Sequence, residues 1–344
     1  MKKLVGLIAV LALLAGACGD DKKSAAEATT SGPKGPLTYS VAIDGASPEG
    51  KNISLAAYFP GGLKVHAGDT VVFDNRSTQA PHTISFGINS DRSNSPAPFT
   101  KSASFNPVVF GPCVTSAEPT PALEACPEPP AAQPPPYRGK GYWNSGALAP
   151  AVAPAGTKQV SVKFDESVPP GSYNYACILH GPMGGSITVV PSGETRDVPD
   201  DVAASGAKAA VAVIAAVVAA PDPAAAAGNV VAGADRMPAT VNRFFPGVVE
   251  IKAGATVTWK STSNVDPHTI TFEPPFTNPE DPRAIPPAGV KAGGGYMAGF
   301  TTSGVLGPTP PFPGDTFSLR FPKAGTYNYV CVLHPGMAGT VKVT

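Results

Sequence analysis

The sequence predicts an all-β protein, two tandem Greek-key sandwiches joined by a short Ala-rich helical linker, and three observations support that expectation. The first is a long internal repeat. YFPGGLKVHAGDTVVFDNRSTQAPHTISF, from Tyr58, aligns without a gap to FFPGVVEIKAGATVTWKSTSNVDPHTITF, from Phe244, at a constant offset of 186. A repeat of this length marks a duplicated domain and not a solenoid. The second is local pattern: LKVHAGDTVVF, VEIKAGATVTW, KQVSVKF, TFSLRF and two YNY segments alternate or cluster β-branched and aromatic residues, with Gly, Pro, Asn or Asp at the breaks. The third is composition. The 344 residues include 41 Pro and 37 Gly, which favour turns over long helices.

In chain order, residues 1–18 combine two lysines, an apolar run and small residues ending at Cys18, a secretory signal pattern. They resemble a bacterial lipoprotein signal, which implies lipidation at Cys18 and a membrane anchor; an ordinary cleaved signal with a chance Cys is the alternative. Either form places the mature chain outside the cytoplasm. Residues 19–36 read as a flexible tether. Residues 37–192 form the expected first domain, with a Pro-rich insertion at 88–142. The purpose of that insertion is not legible in the sequence. It makes the spacing from His82 to Cys177 32 residues longer than that from His268 to Cys331. Residues 193–228 are the linker, where GAKAAVAVIAAVVAA favours a connecting helix packed on one sandwich. Its uninterrupted apolar run of about a dozen residues falls short of the roughly 20 needed to span a bilayer. Residues 229–344 are the second domain.

The chemistry lies in a phrase written twice, YNYACILHGPM at 173–183 and YNYVCVLHPGM at 327–337. Each places a Cys, a His and a Met at intervals of three: Cys177, His180 and Met183, then Cys331, His334 and Met337. A thiolate, an imidazole and a thioether form a soft donor set that suits copper better than calcium, magnesium or a four-thiolate zinc site. The repeat supplies a second imidazole to each, His82 and His268. Two shorter echoes accompany them, SGALAP at 145–150 against SGVLGP at 303–308, and GSITVV at 185–190 against GTVKVT at 339–344. Cys113 and Cys126 flank a Pro-rich loop, where a disulfide is the natural expectation for an exported chain; an additional metal site is the alternative, although no His is near.

With four candidate ligands per copy, each half resembles a cupredoxin, the plastocyanin, amicyanin and azurin family of blue copper proteins. The resemblance implies one type 1 copper per half, held by His82, Cys177, His180 and Met183 and by His268, Cys331, His334 and Met337. It also implies that His180 and His334 lie near the surface as electron ports, in the uncharged surroundings of Gly181, Pro182, Pro335 and Gly336. Thr83 and Thr269 stand where plastocyanin-like proteins often have Asn, which leaves the hydrogen bonding near each sulfur open.

An electron carrier serving redox partner proteins follows from this resemblance. A copper storage or delivery protein is the alternative, weakened because only Met237 and Met297 remain beyond Met1 and the two candidate ligands. A multicopper oxidase or nitrite reductase is disfavoured by the histidine count. Of five histidines the two sites use four, and Ala176 and Val330 precede the cysteines where such enzymes carry His. The fifth, His66, aligns with Lys252 and reads as a surface residue. Lys plus Arg equals Asp plus Glu at 25 each, so no basic field exists to draw in nucleic acid.

Overall fold

The computed structural model describes residues 35–100, 105–127, 134–150, 157–275, 295–307 and 314–344. The signal, including Cys18, and nearly all of the tether lie outside these residues. Residues 36–344 form one compact body.

The first half contributes β1 (Thr38–Ile43), β2 (Ile53–Leu55), β3 (Tyr58–Phe59), β4 (Gly62–Val65), β5 (Thr70–Asn75) and β6 (Ser85–Phe86). A single helical turn, α1 (Pro107–Phe110), precedes β7 (Cys113–Thr115), β8 (Tyr142–Asn144), β9 (Gln159–Lys163), β10 (Gly171–Ala176) and β11 (Gly184–Val189). After α2 (Pro199–Ala219) come β12 (Asn229–Arg236), β13 (Ala239–Phe245), β14 (Val248–Ile251), β15 (Thr256–Ser261), β16 (Thr271–Phe272), β17 (Thr301–Thr302), β18 (Thr316–Arg320), β19 (Gly325–Val330) and β20 (Ala338–Val343).

Among the described residues these strands form four sheets, ordered β3-β1-β5-β9, β4-β11-β10-β6-β8-β7, β18-β15-β12-β13-β2 and β14-β20-β19-β16-β17. Strands such as β5, β9 and β4 alternate buried and more exposed positions, so each turns one face to a core. Tyr39, Phe73, Phe86, Trp143 and Tyr175 fill the first core, and Trp259, Phe272, Phe317 and Tyr329 the second. The sandwiches are not purely antiparallel. β1 runs parallel to β5 and β4 to β11, as β12 does to β15 and β14 to β20. These four parallel pairs link strands with no tight turn between them, so local sequence carries little trace of them.

The halves also exchange structure. β2 belongs to the first half of the sequence yet pairs with β13, extending a sheet of the second. Leu55, Phe59, Ala210, Val217, Val241 and Phe245 share one apolar cluster built from both halves and α2. α2 starts where Pro199 fits the first helical turn, with Asp200 and Asp201 beside the helix N-terminus. The helix is longer than its uninterrupted apolar run and reaches the length and apolarity of a membrane span. It packs against β1 and β3 and also against β13, so it touches strands of both halves and not one sandwich alone.

Gly206 sets how closely α2 approaches. A Cβ at this position would lie 2.4 Å from the Phe59 carbonyl oxygen and 2.8 Å from the Pro60 nitrogen. Backbone cannot swing aside as a flexible side chain can. Gly206→Ala is therefore expected to destabilise the chain by about 1–3 kcal/mol, outweighing the roughly 1 kcal/mol of helix propensity gained. Urea unfolding checks this, and an unchanged or raised midpoint would show that the helix seats differently.

Candidate metal centres

Each candidate centre sits at one end of a sandwich, where the chain runs from one core strand to the next. Cys177 directly follows β10, and the loop carrying His180 and Met183 leads into β11. The loop closes on itself, with Cys177 N–H donating to Met183 O at 3.1 Å and Met183 N–H to His180 O at 3.0 Å. The second loop repeats this, Cys331 N–H to Met337 O at 2.9 Å and Met337 N–H to His334 O at 3.2 Å.

The remaining imidazoles arrive on the segments before β6 and β16. His82 exchanges two backbone hydrogen bonds with Leu148, at 3.1 and 2.7 Å, and His268 does so with Leu306, at 2.9 and 2.7 Å. Ser145 and Ser303 hydroxyls accept the Ile84 and Ile270 N–H groups, each at 2.9 Å. The SG-x-L echo therefore has a structural role, since it pins the His-bearing segment of each half.

The ligating atoms of His82, Cys177 and His180 lie within 4.8 Å of one another, as do those of His268, Cys331 and His334. Cys177 Sγ is 3.3 Å from His180 Nδ1 and 3.8 Å from His82 Nδ1, and Cys331 Sγ is 3.4 Å from His334 Nδ1. Met183 and Met337 are fully buried in the same apolar clusters as the cysteines. Thr83 and Thr269 settle the hydrogen bonding near each sulfur. Their N–H groups donate to Cys177 and Cys331 Sγ, both at 3.4 Å, and their hydroxyls accept the Ile178 and Val332 N–H groups, both at 2.9 Å. A threonine thus ties the ligand segment to the cysteine loop.

Burial pushes the Cys177 thiol up, but His180 and His82 outweigh it and hold the thiol well below its ordinary value. Cys331 is lowered in the same way by His334 and His268. Burial lowers His180, while Cys177 and then Asp266 raise it to about 10 overall. The metal-free protein therefore favours the thiolate, the form that binds metal. A soft donor set fits copper, and His268 supports the fit, because both nitrogens of this fully buried ring lack a hydrogen-bond partner in the protein.

The two centres differ in charge. His82 Nε2 lies 3.2 Å from the buried Asp44 carboxylate, and His180 Nε2 lies 3.1 Å from Asp266, which comes from the other half. Among the described residues neither ring of the second centre has such an ion pair. The strand registers Ile43↔Asn75 and Ala232↔Ser261 make Gly233 the counterpart of Asp44. The repeat sets Asp266 against Ala80. Arg92, in the insertion, donates to the carbonyls of Cys177 and Met183, both at 2.6 Å. Sequence reasoning missed Asp44, Asp266, Gly233 and Arg92; a charge standing opposite Ala80, two residues before the repeated His, was a signal for Asp266, but several other charges also differ between the copies.

His180 and His334 are buried, 4% and 5% exposed, while the flanking Gly181, Pro182, Pro335 and Gly336 are exposed, so each ring lies just beneath the surface. For His180 the cause is the other half of the chain, which lays Asp266 against the outward ring nitrogen. His66 lies partly exposed at the surface, as expected, with Nε2 2.9 Å from Glu194 O. Cys113 and Cys126 are joined by a disulfide with a Cα–Cα distance of 5.6 Å. Cys113 packs with Val108, Val109, Tyr142 and Ile178, so the described part of the insertion backs the first cysteine loop.

Comparison with known proteins finds copper-binding relatives. The family described as copper binding proteins, plastocyanin/azurin family, matches residues 237–344. A plastocyanin of Scenedesmus fuscus is 35% identical over 102 residues, covering 29% of this chain and 85% of the relative. The chloroplastic plastocyanin of Tetradesmus obliquus is 34% identical over 117 residues, covering 34% of this chain and 66% of the relative. Among solved structures, the Cu(I) form of an amicyanin mutant is 25% identical at a TM-score of 0.23, covering 36% of this chain and 87% of that one. The chain belongs to the plastocyanin/azurin family of copper-binding proteins.

Gly233 gives the second centre a specific weakness. Its φ is +72°, and a Cβ there would stand 2.0 Å from His268 Nε2. Gly233→Ala should push His268 away from Cys331 and weaken metal binding at that centre about tenfold or more, leaving His82, Cys177 and His180 competent. Metal titration should then find one tight ion per chain. Two equally tight ions would contradict this placement of His268.

Proposed function

We propose that the chain is an exported blue copper protein with two type 1 sites, carrying single electrons between redox partner proteins. The observation that carries the reading is the pair of buried Cys/His/His groups, each with a buried Met in its cluster and a threonine N–H aimed at the sulfur. His82, Cys177, His180 and Met183 would hold one ion, and His268, Cys331, His334 and Met337 the other. Copper in such a donor set supplies one-electron chemistry, because two imidazoles, a thiolate and a weak thioether suit both of its oxidation states.

The protein's part is to keep these side chains fixed. The two backbone bonds at each His82-type position, the closed cysteine loop and the threonine link resist rearrangement when charge changes by one. Little then has to move on gaining or losing an electron. A carrier is favoured over an enzyme because four of the five histidines serve the two centres and His66 is engaged with Glu194 O.

Export is supported by the signal pattern at 1–18 and by the Cys113–Cys126 disulfide, which suits an oxidising compartment. Lipid attachment at Cys18 would hold the carrier at the outer face of the cytoplasmic membrane or in the periplasm, with 19–36 as tether. The domains are assigned as 37–192 and 229–344, connected by 193–228.

The purified soluble part should contain two coppers and an intense thiolate-to-copper absorption. Cys177→Ser and Cys331→Ser should each remove one copper and about half of that absorption, and the double variant all of it. Serine keeps nearly the same volume but supplies no thiolate. A colourless protein, or one bleached completely by a single substitution while still folded, would contradict two independent sites.

A further inference from the structure

We propose that Asp266 is the link through which the two metal centres exchange electrons, and that it also sets the reduction potential of the first. This rests on the copper reading above. Asp266 is fully buried. Its Oδ1 lies 3.1 Å from Nε2 of His180, a ligand candidate of the first centre, and its Oδ2 accepts from Asn242 Nδ2 at 3.1 Å. Two residues along the backbone stands His268, a ligand candidate of the second centre. His180 turns Nδ1 towards Cys177 and Nε2 towards Asp266. If Nδ1 holds the ion, Nε2 keeps the ring proton and stands 3.1 Å from the carboxylate.

A connection therefore runs from the Cys177 loop through the His180 ring, across the 3.1 Å ion-pair contact to Asp266, and along Pro267 to His268. His180, Asp266 and His268 on this path are buried, and Pro267 between the last two is half-buried. With copper held by both ligand sets, one electron would pass from one centre to the other, oxidising the first as it reduces the second. No covalent bond breaks, and the ring proton stays on His180 Nε2. The carboxylate also makes the imidazole a stronger donor, which favours the oxidised state of the first centre. The first half has Ala80 at the equivalent position, so no second link of this kind runs the other way.

The test uses the copper-loaded soluble chain. A photoreductant delivers less than one electron per chain, and the two visible bands are followed as they equilibrate. The wild type should show a phase independent of protein concentration. Asp266→Ala should slow that phase roughly tenfold or more. Asp266→Asn, which keeps an acceptor of similar size, should slow it less but raise the potential of the first centre more than that of the second. In metal-free protein, 15N NMR should show the His180 ring changing its tautomer or protonation in both variants while His82 is unaffected. Variants that keep both bands yet equilibrate at the wild-type rate would overturn the link. An Asp266→Asn protein with unmoved potentials and an unchanged His180 ring would overturn the tuning. A wild-type chain that takes up no copper would overturn the functional reading, and this proposal with it.

Discussion

A thiolate buried away from water is stable only beside compensating positive charge and hydrogen-bond donors, and this requirement organises both halves of the molecule. Cys177 and Cys331 satisfy it with two imidazoles and a threonine N–H each. Meeting it fixes much else. The His-bearing segment must lie against the cysteine loop, which requires the paired backbone bonds to Leu148 and Leu306, and these bring the SG-x-L segments to the site. Sandwich, loop and pinning segment are thus parts of one arrangement made twice.

The two copies then diverge where their surroundings do. The first centre has a carboxylate on each imidazole, Asp44 from its own half and Asp266 from the other, and a guanidinium on its loop carbonyls. The second has Gly233 against His268 and is influenced by Asp266 more remotely. Near-identical ligand sets in different electrostatic settings suit a protein whose sites perform unequal parts of one task. The shared body of the chain, with β2 added to a sheet of the second half and Asp266 set against His180, joins the two centres inside one fold.

Much of this was legible in the sequence because the ligands sit in contiguous phrases that occur twice, and because β5, β9 and β15 carry clear alternation. The SG-x-L echo was visible, but its role needed the pairing with His82 and His268. Three features could not be read. β2 is three residues long, too short for a pattern, and its partner β13 lies in the other half. The parallel pairs join strands distant in sequence. Asp44 and Asp266 each occur in one copy only, Arg92 lies beyond the aligned stretch, and a lone charged residue normally reads as solvated surface. The same gap hides the ion pair of His180, since nothing local to HGPM foretells that Asp266 of the other half stands against its ring.

The central claim is that two copper centres lie close together inside one body, joined through Asp266 and screened from solvent. Electron paramagnetic resonance of the fully oxidised, copper-loaded chain tests it most directly. The account predicts two spins per chain with a dipolar interaction that disappears when either centre is removed. A spectrum equal to the simple sum of two isolated centres would contradict it.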